Sequence, residues 1–210
     1  QFELQNYIGI KNVEVITSLH PLSKISLKTK KLWSPTDLPN FPFRRQILNR
    51  VIGGEQWLPG LEKYLTDRFD DLPAQAGSNH RSVIVHTAET YTPYTHQVVK
   101  LRKAGVIDKL ICTCWETIPH NNEKFARLRS WKKDAYKYVD TFHTPTVRAK
   151  QALVAEGVDP SKIKVIPYGV DLTRFHARDL SGVSRKAKVL TVARLEREKG
   201  MEYLEQVSQA

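Results

Sequence analysis

The run Ser82-Val83-Ile84-Val85-His86, the turn Thr87-Ala88-Glu89-Thr90-Tyr91-Thr92-Pro93-Tyr94, and residues 95–104 closed by Gly105 decide the fold class. A β-branched run, a polar turn and an apolar pattern at helical spacing make one strand–helix unit. Thr92 stands where an N-cap belongs, and Pro93 at the first helical position. The 82–86 run reads as a buried central strand. The unit repeats downstream: residues 109–114 read as a strand and 121–138 as a long helix. Residues 139–143 are another strand, Thr144-Pro145-Thr146 caps a helix reaching Glu156, and Gly157 stops it. Residues 162–166 are a further strand. Such alternation predicts an α/β chain whose parallel sheet is covered by helices.

Outside this block the pattern thins. Residues 13–17 read as a short strand. Pro21, Pro35, Pro39, Pro42, Pro59 and Pro73 then break any long element, leaving helical fragments near 43–51 and 58–68. Residues 167–186 are polar, with Gly169 expected to turn at positive φ. A new strand is expected at 188–193 and a new helix at 200–209.

A chain of 210 residues can bury one full core, with room for part of a second domain. Its hydrophobic fraction of 40% marks a soluble globular chain. No apolar run approaches the ~18 residues of a membrane span, and no leader is visible. Gln1 is not an initiator methionine, so a segment upstream is expected. Cys112 and Cys114 share one face of a strand and belong to no Cys-x-x-Cys or Cys/His cluster, so no metal site is expected. Two buried, reduced thiols of a cytosolic protein fit better. The net charge of +11 attracts nucleotide phosphates, nucleic acid or an anionic membrane surface, and its sign does not choose among them.

Several residues can carry chemistry. In Val189-Leu190-Thr191-Val192-Ala193-Arg194, followed by Lys199-Gly200, a strand end meets a helix start. Free N–H groups and the positive helix end there suit an anion, and Arg194 and Lys199 add charge-assisted bonds. By composition alone they are an ordinary solvated pair. In Cys112-Thr113-Cys114-Trp115-Glu116-Thr117-Ile118-Pro119 a strand ends at the sheet's carboxyl edge, outside which α/β proteins bind ligands. Trp115 is a sugar-stacking platform or a core cap, and Glu116 a hydroxyl acceptor or an exposed acid. His120 is an acid/base, a phosphate contact or a surface histidine. Glu89 and Tyr91 lie in a loop dense in hydrogen-bonding groups at the same edge. The 121–138 helix sets Lys124, Arg127, Arg129, Lys132, Lys133 and Lys137 among Trp131, Tyr136 and Tyr138. That is a face for anionic lipid or a solvated charge run.

Val165-Ile166-Pro167-Tyr168-Gly169-Val170-Asp171 and the Arg194–Lys199 segment together resemble the centre of the family-4 retaining glycosyltransferases. The likeness runs over about residues 82–206. It implies a Rossmann-like acceptor-side domain at 1–166 with helices on both faces of its sheet, and an inter-domain connection at 167–186. At 187–210 it implies the first strand and helix of a nucleotide-sugar-binding domain, making the chain a partial enzyme. The implied reaction moves a sugar with retention from a nucleotide-sugar donor to an acceptor hydroxyl, without metal or other cofactor. Arg194 and Lys199 would act on the leaving diphosphate, with Gly200 beside them. Glu89, Tyr91, Trp115, Glu116 and His120 would border the acceptor. Trp115-Glu116-Thr117-Ile118 resembles the subgroup with Trp-Glu-Asn-Ile in place of a His-Asp pair, so no histidine is assumed there. The implied partners are the nucleotide-sugar, a sugar or lipid-linked acceptor, and an anionic membrane surface met from the cytoplasm. A phosphorylase or sucrose-type synthase shares this architecture. The rival class is a non-catalytic basic α/β module on a membrane or nucleic acid. The base-stacking aromatic clusters of a nucleic-acid binder are not visible.

Overall fold

Parallel strands need long crossovers, and the helical stretches between the short β-branched runs supply them. The computed structural model describes residues 13–19, 27–38, 56–71, 83–119, 126–175, 191–192, 200 and 203–204, with the backbone alone at 36 and 69–71. The helix expected at 43–51 and the residues His120, Arg194 and Lys199 lie outside these, as do most of the helix expected at 200–209 and all of the strand expected at 188–193 except residues 191–192, which are not in a strand. The chain separates into two compact units, Gln1–Tyr168 and Gly169–Ala210.

In the first unit β1 (Val15–Thr17) pairs in parallel with β2 (Thr29–Lys31). Helix α1 (Leu61–Asp71) follows. Then come β3 (Ile84–Ala88), α2 (Pro93–Lys103), β4 (Lys109–Thr113), α3 (Ala126–Tyr138), β5 (Thr141–Thr144), α4 (Val147–Ala155) and β6 (Ile163–Val165). The last four strands form one sheet in chain order, every pair parallel. This is the α/β architecture that the alternation predicts.

The register sets one buried rung across the sheet. Thr87 lies beside Cys112, Cys112 beside Phe142, and Phe142 beside Ile163. With Leu110 they meet Val98, Val99, Ala135 and Leu153 from the helices, and this is the core. Successive strand residues face opposite ways, so Thr113 falls on the other face. There its hydroxyl lies 2.7 Å from His86 Nε2 and 2.9 Å from His143 Nδ1, while His143 Nε2 lies 2.8 Å from the Ile166 carbonyl. A carbonyl only accepts, so in the neutral ring His143 Nε2 carries the hydrogen and Nδ1 accepts from Thr113. The Thr113 oxygen is then left to accept from His86. The row crosses the sheet with every hydrogen pointing the same way.

Charged ties hold the helices in place. The Arg102 guanidinium makes two 2.8 Å bonds to Asp140, whose carboxylate also accepts from Leu110 N at 2.9 Å. These bonds hold the Asp140 carboxyl below its usual range, the Arg102 bond contributing most. Lys162 Nζ reaches the carbonyls of Lys137 at 2.9 Å and Val139 at 3.0 Å, satisfying the open end of α3.

Some details differ from the expectation. The strand read at 82–86 sits at 84–88, because Val83 is tied to Asp108 below the ladder, its N–H donating to the carboxylate at 2.7 Å. Among the described residues it is not a central strand, and only one of its residues is fully buried. It forms an edge of the described four-stranded sheet, and Ile84 is 59% exposed. Val139, expected in a strand, instead closes α3 with its N–H on the Ala135 carbonyl. The parallel pairing of β2 was not anticipated, since three residues of threonine and lysine show no apolar alternation.

The basic helix also reads differently. Trp131 and Lys132 are buried, and Trp131 stacks on His96 with ring centres 4.2 Å apart. Part of the aromatic and cationic set therefore faces inward instead of forming one lipid-facing surface. Among the described residues no helix is long and apolar enough to cross a membrane.

In the second unit Gly169 does not take a positive φ. The chain turns two residues later, where the Asp171 carboxylate accepts from Thr173 N at 2.9 Å and Thr173 Oγ1 at 2.6 Å. An aspartate that bonds its own backbone makes the turn without glycine. Gly200 has φ 67°, a conformation that glycine adopts at no steric cost, and its carbonyl accepts from Tyr203 N.

Candidate active site

The ends of neighbouring parallel strands must open on one edge, and β3 and β4 bring two loops together there. The β3 loop is tightly fixed. The Ala88 carbonyl lies 2.9 Å from Tyr94 OH, 3.0 Å from Thr92 Oγ1 and 3.2 Å from Thr95 Oγ1. Thr92 is the N-cap by backbone and Pro93 follows it in the first helical turn, but the Thr92 hydroxyl serves this loop and does not cap the helix.

Glu89 is the one non-glycine residue with positive φ, 57°, among the described residues. For a residue with a Cβ that backbone costs roughly 1–2 kcal/mol and persists only where neighbours over-determine it. Here they do. Glu89 N donates to the Thr113 carbonyl at 2.8 Å, and Glu89 Oε1 accepts from Trp115 N at 2.8 Å. Burial outweighs that second bond and, with Glu116 nearby, pushes the Glu89 carboxyl up to about 7. The group is thus poised to change charge near neutrality. Tyr91 donates toward Glu116 Oε1 at 3.4 Å, and burial followed by the charges of Glu89 and Glu116 raises its phenol. It therefore stays a hydrogen-bond donor at neutral pH.

Glu89, Tyr91 and Glu116 line one cleft, as the loop positions predict. The room inside is about 10 Å³, close to the least that holds one water, so anything larger could sit only across its mouth. Trp115 is not among the lining residues. The residue is 37% exposed, and its indole N–H donates to the Tyr168 hydroxyl. What Trp115 gives the cleft is its backbone N–H on Glu89. Gly200 belongs to the second unit.

The cleft also contains residues that the sequence reading did not place there. Cys114, Lys132, Leu153 and Glu156 complete its wall. Lys132 Nζ lies 2.9 Å from Glu156 Oε1 and 2.8 Å from Oε2, with both side chains buried, and Tyr136 OH donates to the same carboxylate. A signal existed: in α3, Leu128, Trp131, Lys132 and Ala135 fall at helical spacing on one stripe, so Lys132 occupies a core position. Cys112 and Cys114 are both free and buried, their sulfurs 3.8 Å apart. The bond to Cys112, together with burial, raises the Cys114 thiol, which makes it a wall and not a nucleophile. Paired with Val165 in the ladder, Thr144 Oγ1 is buried with no hydrogen-bond partner. Among the described residues no three His, Cys, Asp or Glu side chains are grouped as a metal site.

Residues 31–174, more than half of the chain, match the family model described as Glycosyltransferase Family 4. No curated protein and no solved structure gives a significant match.

Proposed function

This chain belongs to glycosyltransferase family 4, and from that premise we propose that it carries the acceptor side of a retaining, metal-independent transferase using a nucleotide-sugar donor. The acceptor hydroxyl is presented over the cleft of Glu89, Tyr91 and Glu116. Arg194 and Lys199 receive the diphosphate of the donor, beside Gly200. Catalysis is then mainly positioning and electrostatic stabilisation of the leaving diphosphate.

The observation that carries this reading is the strained Glu89, locked to the neighbouring strand by Trp115 N and aimed into a cleft at the carboxyl edge of the sheet. A carboxyl group held there accepts from a hydroxyl. Once ionised, it can draw off the proton as that hydroxyl becomes a nucleophile.

Two titrations of the 210-residue chain test the two halves. In calorimetry, Arg194→Ala and Lys199→Ala should each weaken nucleoside-diphosphate binding by ~10-fold or more, as expected for a charge-assisted contact. In NMR titration with simple sugars, Glu89→Gln should weaken the sugar and leave the diphosphate unchanged. Equal losses on both ligands would mean a folding defect. Binding of random-sequence DNA in preference to the diphosphate at moderate salt would favour the basic, non-catalytic module.

A further inference from the structure

Resting on the acceptor reading above, we infer that the mouth of the cleft receives an uncharged sugar ring and turns away a ring bearing phosphate. The argument begins with the charges on its wall. Glu89, Glu116 and Glu156 bring three carboxyl groups. Among the described lining residues the one cation is Lys132, and its ammonium sits within 2.9 Å of both Glu156 oxygens. An ammonium clasped by a carboxylate presents little net charge to a third group. Glu89 and Glu116 therefore face the opening without a balancing cation from the described wall.

Ionised carboxylates accept hydrogen bonds and never donate them. Of the two Glu89 oxygens, Oε1 takes the Trp115 N–H. A wall of this kind wants donors, and sugar hydroxyls are donors. Ile118, exposed beside these carboxylates, adds an aliphatic surface on which the C–H face of a ring can rest. A phosphate brings negative charge and no matching donor, so it meets like charge at close range. Burial already holds the Glu89 carboxyl near 7, with Glu116 adding to the shift, and a further anion acts in the same direction. The cleft thus runs against the chain's net charge of +11, which taken as a whole attracts anions. It follows that a lipid phosphate is not the direct acceptor, although a sugar carried on a lipid can be.

Paired probes decide the matter. Glucose, mannose and galactose, each beside its 6-phosphate, are titrated into the isotope-labelled 210-residue chain at constant ionic strength. The backbone resonances of Glu89 and Trp115 serve as site reporters, so phosphate bound elsewhere does not count. The expected result is that at least one neutral ring moves these resonances, while its 6-phosphate binds there at least ~10-fold more weakly, as like-charge placement predicts. Glu116→Lys should narrow that gap to within ~3-fold by the same reasoning. A 6-phosphate that binds at the reporters as tightly as its parent overturns the inference and leaves the acceptor reading standing. Reporters that no ring moves overturn the acceptor reading, and the inference falls with it.

Discussion

Glu89 holds a backbone conformation that glycine would adopt freely, at φ 57°. Two truncations separate strain from contact. Glu89→Ala loses the bond to Trp115 N and keeps the strain, whereas Glu89→Gly loses both. The glycine variant should therefore be more stable than the alanine variant by ~1 kcal/mol, the usual cost of a non-glycine residue there. Chemical denaturation of the pair measures it, and an alanine variant of equal or greater stability would show that the loop relaxes. The sequence pointed to Glu89 through the polarity of its loop and its place after a strand. It could not show the strain, because nothing about a glutamate advertises a left-handed backbone. Trp115 was half legible for a similar reason. The strand parity that turns Cys114 toward the helices turns Trp115 away from them, and parity is uncertain until the last paired residue is known.

Between elements, the firmest link at the site is Lys132 on α3 with Glu156 just beyond α4. Replacing one member leaves a buried charge without its partner. Lys132→Met should cost ~3–5 kcal/mol, while Lys132→Met with Glu156→Leu should recover most of that loss. Urea melts of the wild type, both single variants and the double variant close the cycle. A double variant no better than Lys132→Met would mean that packing, not charge, dominates. The strands and helices were legible because each is a run of one period bounded by proline, glycine or a capping threonine. Their ends shifted by a residue or two where tertiary contacts decided, as when Val139 finished a helix. Lys132 was misread because a charge run was weighed by composition, although its place on the apolar stripe pointed inward.

At the scale of the whole molecule, two half-buried groups act on stability in opposite senses. Glu89 titrates at about 7 against an ordinary 4.5, so between these values the folded chain holds more protons and stability falls as pH rises. Burial, then Lys100, lowers His96 from 6.5 to about 4, so between those values the unfolded chain holds more protons and stability rises with pH. The windows overlap and the two effects oppose each other there. Relative to wild type, the Tm of Glu89→Gln should climb from about pH 4.5 to 7, and that of His96→Phe should drop from about pH 4 to 6.5. Parallel Tm curves for all three proteins would mean that neither group is perturbed by folding.

The row from His86 through Thr113 and His143 to the Ile166 carbonyl has a consequence for assembly. Its members come from β3, β4, β5 and the residue just after β6, one from each pass of the chain. A strand displaced by a single position would put its member on the wrong face, and every link beyond it would fail together. The row thus works as a tally stick: it closes only when all four passes are aligned at once. That same alignment places the loops after β3 and β4 level at the sheet edge, so a chain that has closed the row has also brought Glu89 into reach of Trp115.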